Sequence, residues 1–336
     1  MRPVKFKPIY KETLWGGTKI ADFKGIHGES DRIGESWEIS GVPDHESVVG
    51  EHKEPSTELL GNIVAGMSLT QLIYMMRGDL VGHRVYRQYG NQFPLLVKFI
   101  DSRRDLSVQV HPNDELAKRK HNCFGKNEMW YVLQAEQGAK IHAGLSRPIT
   151  PEEYDRFVED KSLTSVLATH DTHAGDVFYL PAGRIHAVGA GNLLVEIQQS
   201  SDLTYRIFDY DRLDANGRPR TLHTAEAREA IDYNDSIDTV NYPTNEPLNS
   251  KPFNKFSDRE LVKCPYFETH LVEVKDTAEI NYKVDSFIIA ICIDGQGNIN
   301  GTNARRGETL LIPACDNVLR IKGKATFITA MMPIRH

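Results

Sequence analysis

Apolar and polar positions along this chain fall mostly into short runs of β-branched and aromatic residues, punctuated by glycine, proline and asparagine. The segments FPLLVKFI (93–100), LSVQVH (106–111), MWYVL (129–133), DVFYLP (176–181), NLLVEIQ (192–198), SFIIAICI (286–293) and ETLLIPA (308–314) have strand length and strand composition. They predict a mainly β protein with antiparallel sheets. Helical patterns are fewer and fall in insertions. Ser68 can cap a helix with Gln71 three residues on, ahead of Leu69, Leu72, Ile73 and Met76 at helical spacing. Thr150 offers the same box with Glu153, and Pro151 takes the first helical position. A third helix is predicted over Thr224 to Ile231, where the run AEAREA favours it.

An internal repeat organises the strands. Gly175-Asp176-Val177-Phe178-Tyr179-Leu180-Pro181-Ala182 matches Gly307-Glu308-Thr309-Leu310-Leu311-Ile312-Pro313-Ala314 in residue type at nearly every position. Five residues beyond the proline the first copy has His186 and the second has Val318. A glycine turn, a strand and a proline can also recur by chance in a β-protein. Read as a repeat, the match predicts two related β-barrels, of which only the first carries a metal site. The Asn-, Asp-, Pro- and Ser-rich stretch 232–258 reads as the connection. The expected division is a domain over 1–231 with a helical insertion around 55–90, the connecting segment, and a second domain over 259–336. Arg305, Arg306 and Lys322 of the second domain read as surface charges around a barrel without a ligand set.

At 336 residues the chain is long enough for one large core or two packed cores. Charged residues make up 26% and the formal net charge is −6, with no lysine- or arginine-rich block, so neither nucleic acid nor a membrane surface is an expected partner. The N-terminus MRPVKFKPIY lacks an apolar stretch of signal-peptide length, which points to the cytoplasm. Cys123, Cys264, Cys292 and Cys315 form no CxxC pair, so any metal must use other ligands.

Those ligands are suggested by strand alternation. In Leu106-Ser107-Val108-Gln109-Val110-His111 the period of two turns Ser107, Gln109 and His111 to one face and Leu106, Val108 and Val110 to the other. Gly125-Lys126-Asn127-Glu128 enters the next strand with Lys126 and Glu128 on one face, and Pro181-Ala182-Gly183-Arg184-Ile185-His186 brings a second histidine, expected at the end of a strand. Gln109, His111, Glu128 and His186 supply two imidazoles, a carboxylate and an amide oxygen, a set suited to Zn²⁺ or a similar divalent ion. A lone strand histidine is more often a satisfied core or surface residue. Here polar residues would otherwise be crowded onto a buried face without partners. Glu196 and Gln198 share a face of a further strand, and the following Asp202, Arg206, Asp209, Asp211 and Arg212 read by composition as a surface ion-pair cluster.

With Pro8-Ile9-Tyr10, Leu14-Trp15-Gly16-Gly17, Gly34-Glu35-Ser36-Trp37-Glu38, Gln109-x-His111-Pro112-Asn113-Asp114 and Lys126-x-Glu128-x-Trp130-Tyr131, the chain resembles the class I mannose-6-phosphate isomerases in their short bacterial form, over nearly its whole length. The resemblance implies a cupin fold, two cupin-like antiparallel β-barrels (jelly rolls) with a small helical insertion. It implies one Zn²⁺ on Gln109, His111, Glu128 and His186, a small-molecule sugar phosphate as partner, and an essential Arg206. It also implies that Lys98 and Ser107 lie in the phosphate pocket, and that Lys126, Glu196 and Asp202 match positions proposed for proton transfer or ring opening. The helical segment from Ser68 to Gly90 is compact beside the family's long forms, and a monomer is the mild preference.

Aldose–ketose isomerisation moves a proton between C1 and C2, so it needs a base there and stabilisation of the enediolate oxygens. In one scheme Glu196 or Lys126 shuttles the proton while Asp202 or His111 assists ring opening. In the other the metal only orients or holds the site, and Arg206 with the lysines supplies the electrostatics. A metal dioxygenase on the same fold and a non-catalytic sugar-phosphate sensor are the rival readings. The glutamine ligand, with Arg206 and Lys98, disfavours the first, and the intact set of expected residues disfavours the second.

Overall fold

Strand propensity is realised in both parts of the chain in the computed structural model, which describes residues 2–26, 30–50, 64–214, 216–236 and 254–333. In the first part the strands are β1 (Val4–Lys7), β2 (Ile9–Gly17), β3 (Ile33–Ile39), β4 (Val48–Val49), β5 (Leu95–Ser102), β6 (Val108–Val110), β7 (Glu128–Ala135), β8 (Lys140–Leu145), β9 (Leu167–Asp171), β10 (Val177–Leu180), β11 (His186–Val188), β12 (Asn192–Gln199) and β13 (Tyr205–Phe208). In the second part they are β14 (Phe256–Lys263), β15 (Glu268–Val274), β16 (Thr277–Asn281), β17 (Ile288–Ile299), β18 (Thr302–Arg305), β19 (Thr309–Ile312) and β20 (Val318–Met331). Every strand pair is antiparallel, as the sequence pattern predicts. β5 starts only at Leu95 because Pro94 has no N–H for the ladder.

Three sheets result, in the orders β10-β7-β12-β5-β3-β2, β13-β6-β11-β8-β9 and β14-β15-β20-β17-β19-β1-β4, with β16 and β18 flanking the last. The third sheet crosses the expected boundary at residue 231. Its strand β1 comes from the N-terminus and pairs Val4 with Leu311 and Lys5 with Leu310. One apolar cluster likewise joins the two parts, packing Val97, Phe99 and Tyr131 with Phe267, Phe287 and Ile289. The Phe93 and Phe287 rings lie 4.6 Å apart.

Helices follow their caps. Both predicted capping boxes form, at Ser68 ahead of α2 (Leu69–Met76) and at Thr150 ahead of α6 (Pro151–Glu159). The third predicted helix is α7 (Thr224–Ala230). Between these come α3 (Gly78–Val81), α4 (His83–Tyr89) and α5 (Asp114–His121), while α1 (Lys19–Lys24) precedes them all. The insertion is bolted to the second part at one corner. Asp285 accepts hydrogen bonds from the backbone N–H groups of His83 and Arg84, each at 2.8 Å. Gly82 sits there with φ +95, and a Cβ on it would meet the Asp285 carbonyl oxygen at 2.3 Å, so only glycine fits. Parts of the expected insertion (51–63) and connection (237–253) lie outside the described residues.

The two repeat copies fold alike. Gly175 (φ +96) and Gly307 (φ +83) turn left-handed into β10 and β19, each strand ends at a proline, and His186 and Val318 each open the next strand. A histidine and a valine thus each take the first position of the strand that follows the proline.

Candidate active site

Register places the chemistry. Gln109 of β6 stands opposite His186 of β11 on one side and Arg206 of β13 on the other. Glu128 at the start of β7 faces Gln198 of β12, and Glu196 of β12 lies between Lys98 of β5 and Trp130 of β7. Val108 and Val110 turn into the core with Leu116, Ile185 and Tyr205, as alternation predicts, and Ser107 and Gln109 turn to a cavity. Leu106, expected on the Val108 face, also lines the cavity, because regular alternation begins only with β6 at Val108. The adjoining Pro112-Asn113-Asp114 is a clamp. Asn113 caps α5 by accepting from Leu116 N–H at 2.9 Å, and Asp114 accepts from Gly125 N–H at 2.8 Å and from the Gln199 side chain at 2.9 Å. It fixes how Lys126 and Glu128 enter beside His111.

His111, Glu128 and His186 are buried, and their ligand atoms lie within 4.8 Å of one another. Glu128 Oε2 is 3.4 Å from His111 Nε2, and Oε1 is 3.3 Å from His186 Nε2. His111 Nδ1 meets the Leu203 carbonyl at 3.1 Å and His186 Nδ1 the Arg184 carbonyl at 2.9 Å. A carbonyl only accepts, so each Nδ1 carries the proton and each Nε2 turns a lone pair toward Glu128. Burial, then the Lys126 ammonium, pushes His111 down to about 3, and burial also lowers His186, so both rings are neutral. Burial would raise Glu128, but the Lys126 ammonium opposes it and the carboxyl is held well below its usual range. His186 Nε2 and Glu128 Oε1 are buried without a hydrogen-bond partner. Two lone pairs and an ionised carboxylate converging in a dry site fit a divalent cation, and Gln109 lines the adjoining cavity.

The Lys126 ammonium is 2.9 Å from Glu128 Oε2 and 3.1 Å from His111 Nε2, on the predicted common face. Beyond it opens a cavity of about 630 Å³, lined by Lys98, Ser107, Gln109, Lys126, Glu196, Asp202 and Arg206 among others. The structure thus gathers every expected residue at one place, the three buried ligand candidates behind Lys126 and the remaining seven around the cavity.

Lys98 is more heavily neutralised than its expected phosphate role implies. Its ammonium is 3.2 Å from Glu196 Oε1 and 3.8 Å from Glu35 Oε2, over the Trp37 ring. Burial opposes its charge, yet Glu196 and Glu35 outweigh burial and keep its pKa above the ordinary lysine value. Glu35 is held low: burial raises it, but Lys98 and the Trp37 N–H, at 2.6 Å, prevail. Glu196 is pushed up by burial and by Glu128, against Lys98 and a 2.8 Å bond from Trp130 Nε1. Glu35 was quoted in the sequence only within Gly34-Glu35-Ser36-Trp37-Glu38, and its site role was missed. Arg220, also on the cavity wall, had no sequence signal.

At the mouth Asp202 is about half exposed, 3.9 Å from Lys11. The surface-cluster reading holds for Asp211, whose exposed carboxylate pairs with Lys161 at 2.8 Å. It fails for Asp209, which is buried and binds both Arg212 and Arg220, and for Arg206 on the cavity wall.

A second acid–histidine group, Glu260, Glu268 and His270, lies on β14 and β15 and satisfies itself. His270 bonds Asp258 at 2.8 Å and Glu268 at 3.1 Å, and Lys263 pairs with Glu268 at 2.7 Å. Burial lowers His270, but Asp258 and Glu268 outweigh it and raise its pKa. A raised folded pKa contributes stability that is complete below about 6.5, the unfolded value, and is lost as pH rises through the folded value. Thermal melts of the wild type and of His270→Gln are therefore expected to converge as pH rises from about 6 to 9. The wild-type advantage at low pH should be on the order of a few degrees. A gap independent of pH would rule this out.

Sequence and structure comparisons address the whole chain. Residues 4–139 match the phosphomannose isomerase type I catalytic domain, and residues 257–332 match the mannose-6-phosphate isomerase cupin domain. Mannose-6-phosphate isomerase ManA of Bacillus subtilis is 33% identical over 333 residues, 98% of either chain. The mannose-6-phosphate isomerase of Streptococcus mutans is 31% identical over 93% of this chain and 92% of its own. The crystal structure of mannose 6-phosphate isomerase from Bacillus subtilis aligns with a TM-score of 0.80 at 28% identity, covering 98% of this chain and 99% of that one. Both halves find their counterparts in the same proteins, in the same order and nearly end to end, and the chain belongs to the type I phosphomannose isomerase family, with its cupin fold.

Proposed function

We propose that the protein is a metal-dependent aldose–ketose isomerase that interconverts D-mannose 6-phosphate and D-fructose 6-phosphate through a cis-enediol(ate). The observation that carries this reading is the buried His111–Glu128–His186 set opening, past Lys126, into a cavity walled by the Lys98–Glu196 ion pair and Arg206. The relatives named above carry this activity in their names.

Zn²⁺ is the proposed ion, held by His111, Glu128, His186 and Gln109. When bound, it would supply Lewis-acid stabilisation of developing oxyanion charge. Glu196 suits the proton transfer between C1 and C2, because burial raises its proton affinity toward the working range while Lys98 and Trp130 fix its orientation. Lys126, pointing from the ligand set toward the cavity, is the alternative shuttle. Asp202 at the mouth is placed to assist ring opening, whereas His111 is committed by its Leu203 bond to the ligand set. Arg206 and Ser107 are proposed to receive the phosphate. For Lys98, two carboxylates on one ammonium favour ordering Glu35 and Glu196 over binding a dianion.

The catalytic domain is read as 1–231, with 232–258 as connection and the cupin-like domain 259–336 as packing support, completed by β1. A monomeric, cytoplasmic enzyme is proposed. No described helix is long and apolar enough to cross a membrane.

The test is a coupled assay of fructose 6-phosphate formation before and after chelation, with Zn²⁺, Co²⁺ or Mn²⁺ restored. Activity is expected to fall at least about 100-fold on stripping and to return with metal, the loss corresponding to several kcal/mol of transition-state stabilisation. A folded, metal-loaded protein without turnover would sink the proposal.

A further inference from the structure

We infer that Arg220 forms, with Arg206, a paired guanidinium seat for the substrate's phosphate and so sets the preference for phosphorylated over free sugar. The inference deepens the phosphosugar reading above and rests on it.

The chain leaves β13 at Phe208, turns through left-handed Tyr210 (φ 55) and Asp211 (φ 52), and returns so that His223 N–H donates to the Arg206 carbonyl at 2.7 Å. Arg206 N–H in turn donates to His223 Nδ1 at 3.2 Å. A Leu213–Pro219 bridge closes the strap within, and Asp214 accepts backbone N–H groups of Asn216 and Arg218. This return lays Arg220 on the cavity wall with Arg206.

Buried Asp209 anchors Arg220. Its Oδ2 accepts from Arg220 Nε at 2.7 Å, and its Oδ1 accepts from Arg220 Nη2 and from Arg212 Nη2. Two guanidiniums share one carboxylate, and Arg206 adds a third cation. Arg206 Nη1 donates to the Thr221 carbonyl at 2.9 Å, but its Nε is buried with no hydrogen-bond partner. Arg220 uses Nε and Nη2 on Asp209 and keeps Nη1 outside that fork.

The carboxylates nearby do not close the gap. Asp202 is half exposed beside Lys11, and Asp214 is engaged by its own turn. At the other end of the cavity, Lys98 is already opposed by Glu35 and Glu196. The uncompensated positive charge therefore lies on the Arg206–Arg220 wall. Burial, and next the charge of Arg220, weaken proton binding on Arg206, as expected for like cations held together to meet an anion. A phosphate dianion matches donors in a fixed planar fork better than it matches a point charge.

The experiment measures kcat and KM of wild type, Arg220→Gln and Arg220→Lys on mannose 6-phosphate and on mannose, with competitive inhibition by inorganic phosphate. Metal content and circular dichroism confirm the fold. For Arg220→Gln, KM for mannose 6-phosphate is expected to rise at least about tenfold, with a smaller change in kcat. Phosphate inhibition should weaken by a similar factor, the loss on mannose should be far smaller, and Arg220→Lys should fall between. Equal losses on the two sugars, or unchanged phosphate inhibition, would overturn the inference. If Arg220→Gln does not fold, Arg220→Lys decides by the same ratio of losses. A wild type inactive on mannose 6-phosphate would refute the phosphosugar reading instead, and retained phosphate binding in that protein would still test the seat.

Discussion

Glu128→Gln is expected to emerge from dialysis without bound metal and to turn over mannose 6-phosphate about 1,000-fold more slowly than wild type. Glu128 is fully buried, and its two oxygens face the Nε2 atoms of His111 and His186 at 3.4 and 3.3 Å. It is thus the only described carboxylate in the ligand set. Glutamine keeps the shape but removes the charge that balances a divalent ion, and a loss of roughly 4 kcal/mol of transition-state stabilisation corresponds to that factor. The exchange also separates a metal site from a buried ion-pair knot. In a purely structural knot, removing Glu128 leaves the buried Lys126 ammonium without its 2.9 Å counter-ion and destabilises the protein whether or not metal is present. In a metal site, wild type should gain thermal stability when metal is added and the variant should not. Metal bound at wild-type stoichiometry with wild-type turnover would sink the assignment.

A comparable loss, about 100- to 10,000-fold in kcat, is expected for Glu196→Gln if Glu196 moves the proton. KM should change little, since the Arg206 wall is untouched. The diagnostic readout is exchange of the C1/C2 hydrogen with deuterated solvent, which should slow as much as net isomerisation. Lys126→Met serves as the comparator. If it abolishes exchange while Glu196→Gln merely raises KM, the shuttle is Lys126 and Glu196 only orients Lys98. Because Lys98 retains Glu35 at 3.8 Å, the Glu196 variant does not strand a buried cation, and its kinetics remain readable.

Local chemistry made much of this protein legible in its sequence. The capping boxes at Ser68 and Thr150 form because their partners lie within one turn of helix. The ligand set was accessible for a related reason. Gln109 and His111 share a face by strand alternation and Lys126 and Glu128 share another, whereas His186, expected at the end of a strand, opens β11 instead. Each inference needs only the period of one element. The resemblance to a family then joined these pieces and turned Arg206 from a surface charge into a functional one.

Tertiary structure decided which faces meet. That Lys98 is shared by Glu196 and Glu35 depends on β5 lying between β12 and β3, and no local period encodes that order. The expectation of a phosphate-binding Lys98 came from the family resemblance, which does not by itself show the neighbours that distant strands bring to it. Asp209 read as solvated surface charge and Arg220 carried no signal, and only the return of the strap along β13 buries the one and aims the other. The N-terminal strand β1 completing the far sheet beside β19 is the same kind of fact. A sequence fixes the face each side chain takes within its own element, because alternation and capping act over a few residues. Strand order and register arise from burying all those faces at once, and they determined which charges became partners.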